Sequence, residues 1–185
     1  RLLRNVPQQA EAVLAPVARN SDDPGRAEAR ALYARALDAM GRRPEALAIV
    51  QGILASDSNN ADALILSAQD KIRQGNLGGA INDLQIVVRD HPDNEEAIVA
   101  LARAIAARGD ERRARALYEN AIKDLPQSLN VLQGYVEFLY AIGDRNRAMT
   151  SSREFVQANP ASVRGWKLYA QACERARNPD CGAEA

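Results

Sequence analysis

The sequence predicts an all-α protein built of helix pairs that repeat every 34 residues. Glycines recur at this interval, at Gly41, Gly75, Gly109 and Gly143. An alanine stands five residues after each glycine, at Ala46, Ala80, Ala114 and Ala148. Prolines recur at the same interval, at Pro92, Pro126 and Pro160. Pro24 fits the same series, and Ser58 takes the place of proline at the one position where it is missing. Because several independent positions share one interval, we take this period as the organising feature of the chain.

Each repeat is predicted to hold two helices. The first helices have Ala and Leu at a spacing near 3.6 residues, and we place them at 27–40, 61–74, 95–108 and 129–142. The glycine supplies the left-handed residue that ends each first helix, and Asp, Asn or Pro behind it starts the second. The second helices must end before the proline positions, and we place them at 44–56, 78–90, 112–124 and 146–158.

Partial repeats flank the four full ones. We expect a single array over 1–185, with full repeats at 27–60, 61–94, 95–128 and 129–162 and partial ones at 1–26 and 163–185. A helix is predicted at 8–19, kinked or shortened by Pro16. The chain opens at Arg1 and stops in mid-pattern, so we expect a piece of a longer protein. Repeats bury their faces only against neighbours, and self-association through uncapped terminal repeats is therefore an alternative.

Two stretches carry a signature within the repeat. The last repeat contains Trp166-x2-Tyr169-Ala170, and the third contains Ala114-x3-Tyr118 followed by Pro126. These spacings resemble the tetratricopeptide repeat family, W-x2-L-G-x2-Y followed by A-x3-F and then P, in a bacterial-type array. The resemblance implies a right-handed superhelical solenoid of antiparallel helix pairs whose first helices line a concave groove. It also implies a protein–protein interaction scaffold, within a bacterial assembly, secretion or envelope system.

The chain departs from this signature at three places. Lys71, Ser152 and Cys173 stand where the family has aromatic residues, and we expect looser packing at those sites. A family branch that grips acidic chain termini is disfavoured. The positions where its asparagine and basic residues would be expected hold Leu32, Arg35, Leu66 and Ala100.

The resemblance places one side of each first helix in the groove. Residues on this side of successive first helices are predicted to form an apolar groove floor with polar groups at its edges. They are Leu32, Arg35, Ile65, Leu66, Gln69, Val99, Arg103, Gln133, Glu137, Tyr140, Lys167 and Gln171. We expect an extended or helical peptide with apolar anchors to bind there, oriented by Arg35, Arg103 and Glu137.

Residues arranged for catalysis are missing from the pattern. The single histidine, His91, precedes Pro92 and is interpreted as a turn residue, because a general base needs an oriented partner. The glycine-rich stretch 75–79 lacks the lysine and hydroxyl of a phosphate-binding loop, and no cluster has metal-ligand spacing. We expect no enzyme activity, no cofactor and no metal. The alternative is a regulatory or substrate-docking domain of a larger enzyme.

Charge and hydropathy bear on the partner class. Lys plus Arg equal Asp plus Glu at 24 each, so no overall field attracts nucleic acid, and we expect no nucleic-acid partner. An RNA-binding helical repeat would need a basic groove. No run of eighteen apolar residues occurs, so direct membrane insertion is not expected either.

Cys173 and Cys181 are the only cysteines and flank the turn 178–180. Across a bend between helices they can meet within the Cα separation of about 4.4–6.8 Å that a disulfide requires. A disulfide favours an oxidising compartment and hence a periplasmic or envelope location. The alternative is that Cys173 serves only as a small apolar residue, which leaves a cytoplasmic location open.

Overall fold

The computed structural model describes residues 6–19 and 26–176 of the chain. Over these residues it holds ten α-helices and no strand, which confirms the all-α prediction. The helices are α1 (Val6–Arg19), α2 (Arg26–Ala39), α3 (Arg43–Ser56), α4 (Ala61–Arg73), α5 (Leu77–Asp90), α6 (Glu95–Ala107), α7 (Glu111–Asp124), α8 (Leu129–Ala141), α9 (Arg145–Ala158) and α10 (Val163–Ala176). In the four full repeats, every predicted helix boundary lies within one residue of the observed one.

Helix α1 is longer than predicted, and the kink expected at Pro16 as the alternative to shortening stays a prediction. It is not shortened at Pro16, which lies inside the helix, and it continues to Arg19. Leu14 and Ala15 pack against the core of the neighbouring helices, which includes Leu37. This tertiary packing outweighs the poor helix propensity of the proline.

Each first helix ends in the same glycine turn. The glycines Gly41, Gly75, Gly109 and Gly143 have φ between +78° and +92°, the left-handed region that the 34-residue glycine column predicts. The amide of the next residue reaches back to the carbonyl five positions earlier, as from Asn76 N to Lys71 O at 2.8 Å. A Cβ added at any of the four glycines meets nothing within 4 Å. The backbone conformation, and not lack of space, therefore requires glycine here.

Two sets of polar residues cap the helix starts through a side-chain oxygen that accepts from the amide three residues later. Those before second helices are Asn76, Asp110 and Asp144. Those before first helices are Asn60, Asn94, Ser128 and Ser162. The second set was not predicted, although it keeps the 34-residue period. Each cap stabilises its helix by about 1 kcal/mol.

The chain divides into two compact units, Arg1–His91 and Pro92–Ala185, close to the predicted boundary between the second and third repeats. In the first unit, α2 packs on α1, α3 and α4, and α4 also packs on α3 and α5. In the second unit, α8 packs on α6, α7, α9 and α10, while α6 also contacts α7 and α9 contacts α10. Within each unit the first helices therefore contact one another directly.

The core of each unit lies between its helices. In the first unit, Leu37 and Ile53 are each 1% exposed. In the second unit three aromatic rings meet, with ring centroids 5.5 Å apart for Tyr118 and Tyr135 and 5.7 Å apart for Tyr118 and Phe138. Such tilted aromatic pairs add to the free energy that burial of their area contributes.

Candidate functional site

The predicted contact residues of the first unit lie on α2 and α4, and only some of them are accessible. Leu32 has 48% of its surface exposed, whereas Ile65 and Leu66 are 1% and 6% exposed. Ile65 and Leu66 therefore belong to the core, and their assignment to an accessible groove floor needs correction. The physical reason is that helical spacing gives the direction of a side chain but not how closely the neighbouring helices cover it.

Polar residues surround the accessible part of this first-helix layer. Arg35, half-exposed, pairs with Asp62 across α2 and α4 at 3.7 Å. Gln69 is half-buried. Arg73 makes two parallel hydrogen bonds to Asp38, from Nη1 to Oδ2 at 3.1 Å and from Nη2 to Oδ1 at 3.0 Å. This bidentate pair ties α4 to α2 and was not predicted from the sequence.

Val99, in the second unit, is also buried, at 7% exposure. A Cβ on Gly134 would lie 3.0 Å from Val99 Cγ1, so α6 and α8 approach closely at this point. The role of Val99 is thus to pack against α8, and its place in an accessible groove floor is corrected in the same way. A glycine at this position of the repeat is the sequence signal for the close approach.

The second unit exposes a row of polar side chains on its first helices, which we call the polar strip. Its members are Arg103, Gln133, Glu137, Lys167 and Gln171, all exposed. Arg103 of α6 forms an ion pair with Glu137 of α8, which lies one repeat later in sequence. Gln133 Nε2 donates to Glu137 Oε1 at 3.2 Å. Such an exposed pair adds little to stability, so a partner can replace it at small cost.

Tyr140 lies near the end of α8, half-buried. The Arg175 guanidinium carbon lies 4.7 Å from the centre of its ring, a cation–π contact. Burial raises the pKa of the Tyr140 hydroxyl, and the positive charge of Arg175 offsets only part of this. Together with Arg145 and Glu174, these two residues line an open depression of about 320 Å³.

His91 is placed as expected, at the C-terminal cap of α5, where its amide donates to Val87 O at 2.7 Å. Within 6–19 and 26–176, no three side chains of His, Cys, Asp or Glu are grouped so that they could hold a metal ion. In the same ranges, no helix has the length and apolar character needed to span a membrane.

The predicted disulfide involves a residue outside the described ranges. Cys173 lies on α10 and is buried, with 7% of its surface exposed. Cys181 falls in 177–185, which the structure does not describe. The pairing of the two cysteines stays a prediction.

The architecture and the surface together define a class, a helical-hairpin repeat protein with an exposed first-helix layer. Models of the tetratricopeptide repeat match residues 4–69 and 65–128, which together make up more than half of the chain. The chain belongs to the tetratricopeptide repeat family. No curated protein matches it in sequence.

Several solved structures share this fold. PilF of Pseudomonas aeruginosa is 21% identical with a TM-score of 0.68, over 99% of this chain and 82% of its own. A thermophilic TPR protein of Thermus thermophilus is 18% identical with a TM-score of 0.69, over 92% and 94%. YrrB, described as a TPR protein with an unusual peptide-binding site, is 16% identical with a TM-score of 0.59, over 95% and 89%. At these identities the likeness concerns the fold.

Proposed function

We propose that the protein is a non-catalytic scaffold whose first helices bind a peptide segment of a partner protein. The tetratricopeptide fold commonly mediates protein–protein interaction, and the observation that carries the finer proposal is the polar strip of the second unit. Its exposed donors and acceptors follow one another across α6, α8 and α10, as an extended or helical peptide requires. Tyr140 adds aromatic surface on α8.

The chemistry of the strip favours a particular kind of peptide. Arg103 and Lys167 carry positive charge and Glu137 carries negative charge, so the strip has a small positive excess. Gln133 and Gln171 can each donate to and accept from a peptide backbone. If a carboxylate of the peptide paired with Arg103 instead, Glu137 Oε2 would be available to a basic group of the partner.

In the first unit, we propose that Leu32 supplies an apolar contact. Leu32 is 48% exposed, and Arg35 and Gln69 lie on the same layer. An apolar anchor residue of a peptide would bury part of this surface. The polar neighbours would then fix its orientation.

The biological setting is proposed from the relatives. Proteins of Pseudomonas aeruginosa and Thermus thermophilus have the same fold, and YrrB is described as having a peptide-binding site. We infer from this analogy a role in a bacterial assembly, secretion or envelope system, with a protein or peptide partner and no nucleic acid. The envelope part of this proposal rests on the predicted disulfide.

The test is a peptide selected against the protein from a displayed random library and then measured by fluorescence anisotropy. Arg103→Glu is expected to weaken binding about ten-fold, because it removes a charged contact and places like charges beside Glu137. The matched control is Arg112→Glu, an exposed charge reversal on the second helix α7 of the same unit. If both variants bind the peptide as the parent does, the polar strip is not the binding site.

A further inference from the structure

The fourth repeat carries two serines on α9 where the other repeats have larger side chains. Ser151 corresponds to Ile49, Asp83 and Leu117 at successive 34-residue steps, and Ser152 corresponds to Val50, Leu84 and Tyr118. Asp83 has partners of its own, since Ser67 Oγ and Lys71 Nζ both bond to its Oδ2. The serines therefore remove side-chain volume that the other repeats fill.

A cavity of about 330 Å³ lies at this place, between α7 and α9. Both helices pack on α8, but among the described residues they do not pack on each other. Apolar side chains of Ile122, Pro126 and Phe155 line part of the cavity, and Ser151 and Tyr135 line another part. Cavities that bind small organic groups are commonly of this size and mixed lining.

The two serine hydroxyls differ in their hydrogen bonds. Ser152, fully buried, donates from Oγ to the Ala148 carbonyl oxygen at 2.8 Å. Ser151 is only 5% exposed, and its Oγ has no hydrogen-bond partner among the described residues. A buried hydroxyl without a partner is unfavourable, so a ligand group that pairs with it gains affinity. Ser151 is one of the residues that line the cavity, so its side chain lies beside the space that a ligand would fill.

The charged groups around the cavity balance one another. Glu119 and Glu154 carry negative charge, and Lys123 and Arg147 carry positive charge. Glu119 Oε1 accepts from the Tyr135 hydroxyl at 2.9 Å, and Arg147 lies 3.8 Å from Glu154. Net charge therefore does not select the ligand, and among the described lining residues the buried polar group without a partner is the Ser151 hydroxyl.

We propose that this cavity is a second binding site, separate from the first-helix layer, which takes the side chain of a tyrosine from a partner protein. The aromatic ring would pack against Ile122, Pro126 and the ring of Phe155, and the phenol hydroxyl would bond to Ser151 Oγ. The phenol is uncharged at neutral pH, which fits the balanced lining. The proposal does not depend on the polar strip and stands if a peptide fails to bind there.

The probe is N-acetyltyrosine amide, added to the isotopically labelled protein and followed by amide chemical shifts. We expect saturable shifts at Ser151 and Phe155, and none at Arg103 or Glu137. Ser151→Leu restores the residue that the third repeat has at this position and should abolish these shifts by filling the cavity. Ser58→Leu, at an exposed position in the first unit, is the control and should leave them unchanged.

Ser151→Ala keeps the cavity and removes only the hydroxyl, so it tests the hydrogen bond without the risk of misfolding. This change should weaken binding of the tyrosine probe by roughly two- to ten-fold and leave binding of N-acetylphenylalanine amide unchanged. Equal effects on the two probes would overturn the assignment of the hydroxyl. Shifts that do not saturate, or that spread evenly over the protein, would overturn the site itself.

Discussion

Replacing Gly75 and Gly78 by alanine, one at a time, is expected to change stability in opposite directions. Both glycines are exposed, and a Cβ added at either meets nothing within 4 Å, so neither change creates a clash. Gly75 has φ of +78° in the turn between α4 and α5, whereas Gly78 lies in the first turn of α5. The two positions therefore differ in backbone conformation and hardly at all in packing.

The magnitudes follow from this conformational difference. The left-handed conformation costs a non-glycine residue roughly 1–2 kcal/mol, which the reduced freedom of the unfolded chain offsets by about 0.4–1 kcal/mol. Gly75→Ala should thus destabilise by about 1 kcal/mol. Gly78→Ala should stabilise by about 0.5 kcal/mol, because alanine is the better helix former.

The assay is urea unfolding followed by circular dichroism at a helical wavelength. The midpoint should fall for Gly75→Ala and rise for Gly78→Ala, with unchanged slopes. Midpoints that move in the same direction would refute the assignment of the glycine column to left-handed helix ends.

Three further outcomes are expected. Burial raises the pKa of Tyr118 to about 12, so the unfolded chain ionises first as pH rises above 10, and the unfolding free energy should fall by up to about 3 kcal/mol between pH 10 and 12. Urea titrations across that range should show a smaller fall for Tyr118→Phe, and an equal fall would contradict this. Asn94→Ala, which removes the cap of α6, should cost about 1 kcal/mol in the same assay, while Asn130→Ala, exposed on α8, should cost little. Thiol titration of the denatured, unreduced chain should find no reactive cysteine, and two reactive thiols would disprove the predicted disulfide.

The helices could be predicted closely because short-range chemistry fixes their ends. Glycine at φ near +80° and the polar caps lie within a few residues of each boundary, and both repeat along the chain. Pro16 is the exception, since the packing of Leu14 and Ala15 against the core keeps α1 helical there. This packing involves residues distant in sequence, and helix propensity, which is a local property, does not predict it.

The candidate site could be predicted only in part. The period correctly aligned Arg103 with Glu137, because equivalent residues of neighbouring first helices lie side by side. It could not reveal that Ile65 and Val99 are buried, since depth depends on how closely helices approach. Gly134 was a signal for that approach in the second unit.

The cavity between α7 and α9 shows the same limit. Small residues at Ser151 and Ser152 are visible when the repeats are aligned, and looser packing was expected at Ser152. Whether lost volume becomes a cavity depends on whether neighbouring helices close over it. Helices α7 and α9 both pack on α8, but among the described residues they do not pack on each other. The volume left by the smaller side chains therefore stays unfilled as a cavity.

The central claim is that the first helices bind a partner peptide, and the most direct measurement maps where a selected peptide contacts the labelled protein. Titration with the peptide, followed by amide chemical shifts, should perturb α6, α8 and α10 around Arg103, Glu137 and Gln171. Arg103→Glu should reduce these shifts at equal peptide concentration. Shifts confined to α7 and α9, with the polar strip unperturbed, would contradict the claim.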